Sequence, residues 1–514
     1  MALNDNRLDV AERILKPYLK EDPFDPHAIR MLAELAGRIG RWGDAEDLLR
    51  RAIEIAPGFL AARANLALVL GRTGRPAEAL ELLDEIFAID HEDAGVLNLR
   101  AATLGKLGEF AEAIQLYETM LQRTPKQPRL WLSYGHMLKT VGRQADGVAA
   151  YRQALAIDPK LGEAWWSLAN LKTVQFDERD IIAMNQELKS SDLADVDRMH
   201  FDFALGKATH DAGDPEQAFA HYEAANAIRL KTQPYDDAKL SRSVDLCLEL
   251  LTAEFFAKRA GGYDAPDPIF IVGLPRAGST LVEQILSSHS LVEGTAELPD
   301  IPAMVNKLGP YPSALAKLDD TERDKLGREY LKRAGVQRRT KRPFVIDKLP
   351  NNWLFVPFIQ LILPNAKIID ARRHPLACCF SNFRQHFARG QPFTYNLRDL
   401  GRYYSDYVRM MAHIDLVLPG RVHRVIYERM VDDTEGEVRR LLDYCGLDFE
   451  PQVLEFYKTD RAVRTASSEQ VRRPIYGDAT AEWRSYEAHL APLKEALGTV
   501  LEAYPAAPAA FSQR

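Results

Sequence analysis

The sequence has few cysteines, no excess of positive charge and no long apolar run. Four cysteines occur among 514 residues and none forms a C-x-x-C pair, so neither a disulfide framework nor a zinc site is indicated. The formal net charge of -7 gives no general attraction to nucleic acid. No stretch approaches about 18 uninterrupted apolar residues, and the N-terminus lacks the apolar region of a secretory signal. We therefore expect a cytoplasmic protein without nucleic-acid or membrane partners.

Residues 1 to about 172 repeat with a period of 34. Glycines recur at this spacing, at Gly40, Gly74, Gly108 and Gly142. Small residues follow each glycine by five positions, at Ala45, Ala79, Ala113 and Gly147. A glycine at this place ends the first helix of a pair, and the small residue lets the two helices approach closely. The pattern predicts a stack of helix pairs.

The segment W-x-x-Y-G-x-x-L at 131–138 resembles the tetratricopeptide repeat. A weaker unit follows over 201–228, where Gly213 and Ala218 keep the five-residue offset. Such repeats form an extended concave surface, and we expect it to bind a protein or peptide substrate or partner. The alternative is packing on the chain itself or on a second copy, which would give a homodimer.

Dense glycine and proline punctuation around 261–268 indicates a domain boundary. Beyond it, buried strands alternate with helices; the strands are predicted at 269–272, 344–348, 367–371 and 422–427. This alternation indicates a parallel sheet with functional groups at the carboxyl ends of the strands. The predicted architecture is an N-terminal all-α tetratricopeptide-repeat solenoid over 1–234, a linking helix over 235–263, and a C-terminal α/β P-loop-like three-layer domain with a parallel sheet over 264–514.

The first predicted strand leads into the loop GLPRAGST, residues 273–280, and then into a helix. Its spacing matches the P-loop G-x-x-x-x-G-K-[ST], with Ser279 in place of the lysine and Arg276 within the loop. Because that lysine contacts the β- and γ-phosphates, its absence argues against ATP or GTP and against a P-loop kinase. Backbone N–H groups, a helix N-terminus and an arginine fork favour one tetrahedral oxyanion. The alternative is an ordinary tight turn of an α/β domain.

This loop, together with the later segment RRHPLACCFS at 372–381, resembles the sulfotransferase family over about 266–505. Within the family, the chain is most similar to tyrosylprotein sulfotransferases and to bacterial proteins that join tetratricopeptide repeats to such a domain. The family transfers a sulfuryl group from 3'-phosphoadenosine 5'-phosphosulfate (PAPS) and releases the bisphosphate PAP. The resemblance implies a PAPS-dependent enzyme that needs no metal. The tyrosylprotein enzymes use a membrane anchor and disulfides in the Golgi lumen; this chain shows neither, so its hydroxyl acceptor stays open.

The resemblance assigns two phosphate-binding motifs. The 5'-phosphosulfate motif consists of Pro275, Arg276, Ala277, Gly278, Ser279 and Thr280. In it, loop N–H groups and both hydroxyls hold the 5'-phosphate, and Arg276 neutralises the sulfate during transfer. The 3'-phosphate motif is an arginine with a serine eight residues later, here Arg373 and Ser381. Arg372 competes with Arg373, and the alternative for both is a pair of solvated surface charges.

The resemblance also assigns the catalytic groups. Lys348, at the end of its predicted strand, matches the family's catalytic lysine. No histidine follows it, so a carboxylate is expected to act as base. Glu297 lies 21 residues after Arg276, which is the spacing in tyrosylprotein sulfotransferases, and Glu293 is its competitor. A glutamate can serve because burial raises its pKa. The alternative for Glu297 is a surface acid in a loop.

Further matches lie downstream. Tyr427 occupies the place of an aromatic residue that closes the nucleotide pocket, with a core tyrosine as the alternative. The segment 467–474 resembles the loop that covers the cofactor. It makes Ser467 a candidate hydrogen-bond donor in the transition state and Arg473 a candidate phosphate contact.

The predicted function is PAPS-dependent transfer of a sulfuryl group to a hydroxyl, on a protein or peptide recruited by the repeats. Two alternatives stay open. One is a sulfotransferase that acts on a small molecule or saccharide. The other is a repeat scaffold with a catalytically inactive nucleotide-binding domain.

Overall fold

The computed structural model describes residues 3, 5, 7–295, 297–388, 390–459, 461–463, 465, 468, 470–475 and 480–512. The chain forms two compact units, Met1–Asp158 and Pro159–Arg514. The domain limits that we predict from the sequence, at 234 and 264, stay a prediction.

The first unit consists of helices joined by short turns, and consecutive helices pack on each other. Proline is the first residue of three of them, a position where its missing N–H costs no hydrogen bond. The described helices of this unit are α1 (Leu8–Glu21), α2 (Pro26–Arg38), α3 (Trp42–Ile55), α4 (Leu60–Arg72), α5 (Pro76–Ile89), α6 (Ala94–Leu107), α7 (Phe110–Arg123), α8 (Pro128–Thr140) and α9 (Gln144–Ile157).

The periodic glycines and small residues explain how these helices pair. After the first helix of each pair, the backbone turns through a positive φ, which favours glycine: Gly40 (80°), Gly74 (83°), Gly108 (88°) and Gly142 (83°). Five residues later, Ala45, Ala79 and Ala113 are completely buried against the preceding helix. A Cβ on Gly147 would lie 3.4 Å from the carbonyl oxygen of Gly135. The predicted helical repeat is confirmed.

The second unit begins with further helices: α10 (Gly162–Asn170), α11 (Glu178–Leu188), α12 (Asp195–Asp211), α13 (Pro215–Thr232), α14 (Asp237–Leu250) and α15 (Ala253–Ala257). Helices α12 and α13 form a pair like those of the first unit, with Gly213 at a φ of 80° between them. A Cβ on Gly206 would lie 2.6 Å from a ring carbon of Tyr222, and one on Gly135 would lie 2.5 Å from the equivalent atom of Tyr151. The weaker repeat unit predicted from the sequence is therefore present as a helix pair.

A parallel sheet is the centre of the second unit. Within the described residues it has five strands: β1 (Pro268–Gly273), β2 (Val292–Gly294), β3 (Phe344–Lys348), β4 (Lys367–Arg372) and β5 (Val422–Ile426). Their order is β2-β3-β1-β4-β5, and every pairing is parallel. The register sets Ile271 beside Lys348 and Gly273 beside Ala371. The loops that follow β1, β3 and β4 consequently lie along one edge of the sheet, as we expect from the alternation of strands and helices.

Helices cover both faces of this sheet. The described helices from β1 onward are α16 (Ser279–Ser287), α17 (Asp300–Leu308), α18 (Asp320–Gly335), α19 (Val356–Ile362), α20 (Pro375–Phe383), α21 (Leu397–Val417), α22 (Tyr427–Asp432), α23 (Thr434–Cys445), α24 (Ala491–Leu497) and α25 (Thr499–Ala503). Ile271 of β1 packs in one core with Ile285 of α16 and Leu441 of α23. Within the described part of the chain, every helix is too short or too polar to span a membrane.

Two details differ from the predicted strands. Strand β2 was missed, because its three residues are too short for an alternation of apolar and polar side chains to be seen. The strand predicted over 422–427 ends at Ile426, and Tyr427 is the first residue of α22.

Two glycine substitutions in the first unit should have opposite effects. Gly108→Ala places a side chain at a φ of 88° and should destabilise its helix pair by about 1 kcal/mol. Gly43→Ala lies within α3, where its Cβ would meet open space, and should stabilise that helix by about 0.5 kcal/mol. Hydrogen exchange in peptides covering α6–α7 and α3 measures both effects. Equal protection in both variants would contradict the role given to the periodic glycines.

Candidate active site

The loop after β1 turns sharply because two glycines allow close contacts. Gly273 has a φ of 138°, and a Cβ there would lie 2.3 Å from the carbonyl oxygen of Ala371 in β4. Gly278 has a φ of 97° and begins α16, and a Cβ there would lie 2.8 Å from the ring of Tyr427. Arg276 between them also has a positive φ of 66°, which is uncommon for a residue with a side chain. The turn thus directs the N-terminus of α16 toward the carboxyl edge of the sheet.

A cleft opens at this edge. It collects residues of both predicted phosphate motifs and of the predicted covering loop: Arg276, Gly278, Ser279, Thr280, Arg373, Ser381, Tyr427 and Arg473. The other two loop residues lie behind its wall. Ala277 is buried, and the carbonyl oxygen of Pro275 accepts a hydrogen bond of 2.8 Å from the side-chain amide of Asn382.

Arg276 connects the two motifs directly. Its Nε donates to the Ser381 hydroxyl at 3.1 Å, and its Nη2 donates to Gln470 Oε1 at 3.0 Å. Its backbone carbonyl accepts from Arg373 Nη1 at 3.3 Å. Burial, with the nearby charges of Arg373 and Arg384, lowers the pKa of Arg276 to about 10. The guanidinium stays charged at neutral pH, so the cleft favours an anionic ligand.

The two consecutive arginines at the end of β4, Arg372 and Arg373, have different surroundings. Arg372 is buried, its Nη2 lies 2.8 Å from Asp370 Oδ2, and its Nε donates to the Tyr407 hydroxyl at 3.1 Å. Arg373 lines the cleft, with its guanidinium carbon 5.0 Å from the ring centroid of Tyr427. Successive residues of a strand point to opposite faces, which accounts for the difference. Arg373, the arginine favoured by spacing, is the one that faces the cleft.

Lys348 lies at the end of β3 beneath two carboxylates. Its Nζ is 2.5 Å from Glu297 Oε1 and 3.8 Å from Glu283 Oε2. Lys348 and Glu283 are almost completely buried, whereas 47% of the Glu297 side chain is exposed. Glu297 is therefore the carboxylate of this group that an incoming molecule can reach.

Glu293, the competing candidate base, has other partners. It lies in β2, is 5% exposed, and accepts hydrogen bonds from the backbone N–H groups of Arg339 and Thr340. These contacts tie the segment before β3 to the sheet edge. The geometry consequently favours Glu297 over Glu293 as the group beside Lys348.

Several cleft residues were not predicted from the sequence. Arg384 lines the cleft, forms an ion pair with Glu482, and donates to His210 Nε2 of α12 at 3.4 Å. A signal for Arg384 was available, since it follows Ser381 by three residues at the end of a helix and so lies on the same side. Gln470 lies within the predicted covering loop, although no role was predicted for it, and Glu482 has no local signal because it reaches the cleft from a distant segment. Ser467 lies outside the described residues.

A parallel sheet with arginines and a helix N-terminus at the carboxyl edge defines a class of α/β domains that bind anionic ligands. Within that class, residues 268–451 match the model of the sulfotransferase family. One tetratricopeptide-repeat model matches residues 39–103, and a second matches residues 2–59 and 98–162. The chain thus joins tetratricopeptide repeats to a sulfotransferase-family domain.

One similar protein is from Aquifex aeolicus (strain VF5) and is named only as an uncharacterized protein. It is 34% identical over 310 residues, which are 57% of this chain and 41% of the Aquifex protein. The chain thus spans about two fifths of that relative's length. A putative protein-tyrosine sulfotransferase of Caenorhabditis briggsae is 24% identical over 42% of this chain and 80% of its own length. An omega-hydroxy-beta-dihydromenaquinone-9 sulfotransferase of Mycobacterium bovis is 28% identical over 31% of this chain and 46% of its own.

Substitution of the two arginines should separate stability from ligand binding. Arg372→Met leaves buried Asp370 with Arg424 as its remaining ion-pair partner among the described residues, and should cost about 3 kcal/mol of unfolding free energy. Arg373→Met removes one of several like charges around the cleft and should change stability much less. Thermal unfolding of the full-length variants checks this, and an equal loss in both would show that Arg373 is structural too.

Proposed function

We propose that this protein is a PAPS-dependent sulfotransferase that transfers a sulfuryl group to a hydroxyl acceptor. The observation that supports this most is that both predicted phosphate motifs line one cleft. Arg276 of the first motif contacts Ser381 and Arg373 of the second. One nucleotide with phosphates at its 5' and 3' ends is the ligand that such a pair of anion sites suits.

The charge of the cleft fits such a ligand. Among the described lining residues, four arginines are present and one acid, Glu482. In the proposed complex, the loop N–H groups and the hydroxyls of Ser279 and Thr280 hold the 5'-phosphate. Arg373 and Ser381 hold the 3'-phosphate. Arg473 and the Tyr427 ring complete the wall, the ring on the side of the adenine.

Transfer then requires a base and a way to neutralise the leaving oxygen. Glu297 takes the proton of the acceptor hydroxyl. The acceptor oxygen forms a new bond to sulfur while the bond from sulfur to the bridging phosphate oxygen breaks, and PAP leaves. Lys348 and Arg276 stabilise the negative charge that develops on that bridging oxygen. The reaction needs no metal.

A protein or peptide is the acceptor that we propose, recruited by the repeats of the first unit. The concave surface of helical repeats suits an extended peptide, and the Caenorhabditis briggsae relative is named for protein tyrosine. A small-molecule acceptor is the second candidate, because the Mycobacterium bovis relative is named for a menaquinone derivative. Sulfur-labelled PAPS added to a cell lysate with the purified protein distinguishes them by the mass of the labelled product. The cytoplasmic location and the homodimer stay predictions, and light scattering of the full chain tests the homodimer.

The 3'-phosphate assignment predicts how Arg373→Met changes nucleotide binding. The variant should bind PAP at least about 10-fold more weakly, because a charge-assisted contact to a phosphate is lost. Its affinity for AMP, which lacks only the 3'-phosphate, should change less than about 2-fold. Isothermal calorimetry with both nucleotides measures the difference. An equal loss for PAP and AMP would place Arg373 at another part of the ligand, and absence of PAP binding in the unaltered protein would exclude PAPS as donor.

The catalytic assignment predicts loss of transfer with retained nucleotide binding. Glu297→Gln and Lys348→Met should each lower transfer of labelled sulfate by about 100-fold or more, which is typical for loss of a general base or of a charge at the leaving group. PAP affinity measured by calorimetry should stay within a few-fold. Glu435→Gln, an exposed acid paired with Arg439 in α23, is the matched control and should keep full activity.

Three results would contradict these roles. Unchanged transfer in both variants would show that other groups carry the chemistry. A protein that binds PAP but labels nothing in any lysate would favour the repeat scaffold with an inactive nucleotide-binding domain. ATP hydrolysis dependent on magnesium would instead indicate a kinase-like site.

A further inference from the structure

Glu283 is a buried acid beside Lys348 that the proposed reaction does not use. It lies in α16, only 2% exposed, with Oε2 at 3.8 Å from Lys348 Nζ. Its Oε1 accepts from Arg461 Nη2 at 2.5 Å. An acid so deeply buried requires cations around it, and here two of them share it.

Arg461 also holds the segment that leads to Glu297. Its Nη2 donates to the carbonyl oxygen of Thr295 at 3.2 Å, and its Nη1 donates to Ser287 Oγ at 3.3 Å. A Cβ on Gly294 would lie 3.0 Å from the Arg461 guanidinium carbon, so the segment packs closely on this side chain. A continuous row of alternating charges therefore runs from Arg461 through Glu283 and Lys348 to Glu297.

The two carboxylates beside Lys348 differ in exposure. The Glu297 side chain is 47% exposed, whereas the Glu283 side chain is 3% exposed. A carboxylate paired with an ammonium group is a poor base, so Glu297 must leave Lys348 to accept a proton from the acceptor. A buried lysine that loses its only carboxylate tends to lose its proton as well. Glu283 is buried beside Lys348 and would remain there when Glu297 moves.

We propose that Glu283 and Arg461 are positioning residues of the transfer reaction. Glu283 keeps Lys348 charged and in place while Glu297 acts as base, and Arg461 holds Glu283 and the backbone before Glu297. This inference rests on the proposed function for its catalytic meaning. Its electrostatic content, however, is testable without any acceptor.

Among the described residues, the charged groups near Lys348 are Glu283 from α16, Glu297 from the segment after β2 and the neighbouring Asp347 of its own strand, with Arg461 behind Glu283. Asp347 accepts from the Tyr330 hydroxyl at 2.7 Å, and burial raises its pKa to about 7. The test must therefore compare variants over the same pH range, so that Asp347 contributes equally to each.

The experiment measures the titration midpoint of Lys348 in the full-length protein. Lysine labelled with ¹³C at Cε is observed by NMR, and the Lys348 signal is assigned from its loss in Lys348→Arg. Glu283→Gln should lower the midpoint by about one pH unit or more, because an opposite charge within about 4–6 Å is lost. The variant Glu297→Gln imitates the departure of the base. In that variant, the further change Glu283→Gln should lower the Lys348 midpoint more than Glu283→Gln does in the unaltered protein. Arg461→Gln should raise the Lys348 midpoint or leave it unchanged. Glu283→Asp should keep the midpoint close to its value in the unaltered protein.

A merely structural role gives a different pattern. It predicts that Glu283→Gln and Arg461→Gln both lower the melting temperature and PAP affinity while the Lys348 midpoint stays constant, and that result would overturn the proposal. If Glu283→Gln fails to fold, the pair Glu283→Gln/Arg461→Met removes both buried charges together and should still lower the midpoint. Glu435→Gln is the control and should leave it unchanged.

A second readout connects the titration to transfer of labelled sulfate from PAPS into lysate proteins. Glu283→Gln should reduce transfer increasingly as pH rises, since Lys348 then loses its proton at lower pH, and Glu283→Asp should recover transfer. Equal reduction at every pH would contradict the role. If the unaltered protein transfers no sulfate, the proposed function fails, while the Lys348 midpoint still decides the inference on Glu283.

Discussion

The close approach of β1 and β4 is the constraint on which the site depends. Gly273 lies so close to the Ala371 carbonyl that its Cα has room for a hydrogen atom but not for a Cβ. This contact brings the loop after β1 beside the arginine after β4. Arg276 and Ser381 are 105 residues apart in the chain, yet they share a hydrogen bond because their strands are neighbours. A larger residue at 273 would separate the strands and, with them, the two predicted phosphate motifs.

Gathering arginines at one edge has an electrostatic cost that the fold offsets locally. Arg384 is paired with Glu482, and Arg372 is turned away into a buried pair with Asp370. The Arg276 guanidinium donates to the Ser381 hydroxyl and the Gln470 amide oxygen, and burial together with the nearby guanidinium groups lowers its pKa. The described lining of the cleft has four arginines and one acid, so a multiply charged anion is the kind of ligand that suits it.

Sequence patterns predicted the elements whose signals are local. The 34-residue period, the buried strands and the glycine-bounded loop each follow from backbone requirements that neighbouring residues reveal. Arg372 and Arg373 are distinguished by the alternation of side chains along β4, which directs them to opposite faces. Glu293 and Glu297 are distinguished by the segment before β3, whose backbone N–H groups bind Glu293. Arg461 could not be predicted, because its partners lie in α16 and after β2, more than 160 residues away. Contacts that exist only in three dimensions leave no periodicity in the sequence.

The helix pair α12–α13 bears on where the catalytic part of the chain begins. His210 of α12 accepts from Arg384 at 3.4 Å, and its other ring nitrogen lies 2.7 Å from the Tyr486 hydroxyl. Burial lowers the pKa of His210, so it is neutral at pH 7 and can accept from a guanidinium. Asn226 of α13 donates to the Phe383 carbonyl at 2.8 Å, at the end of the helix that carries Ser381. A repeat-like helix pair therefore supports the wall of the cleft, and a fragment that began at the first strand would lack this support.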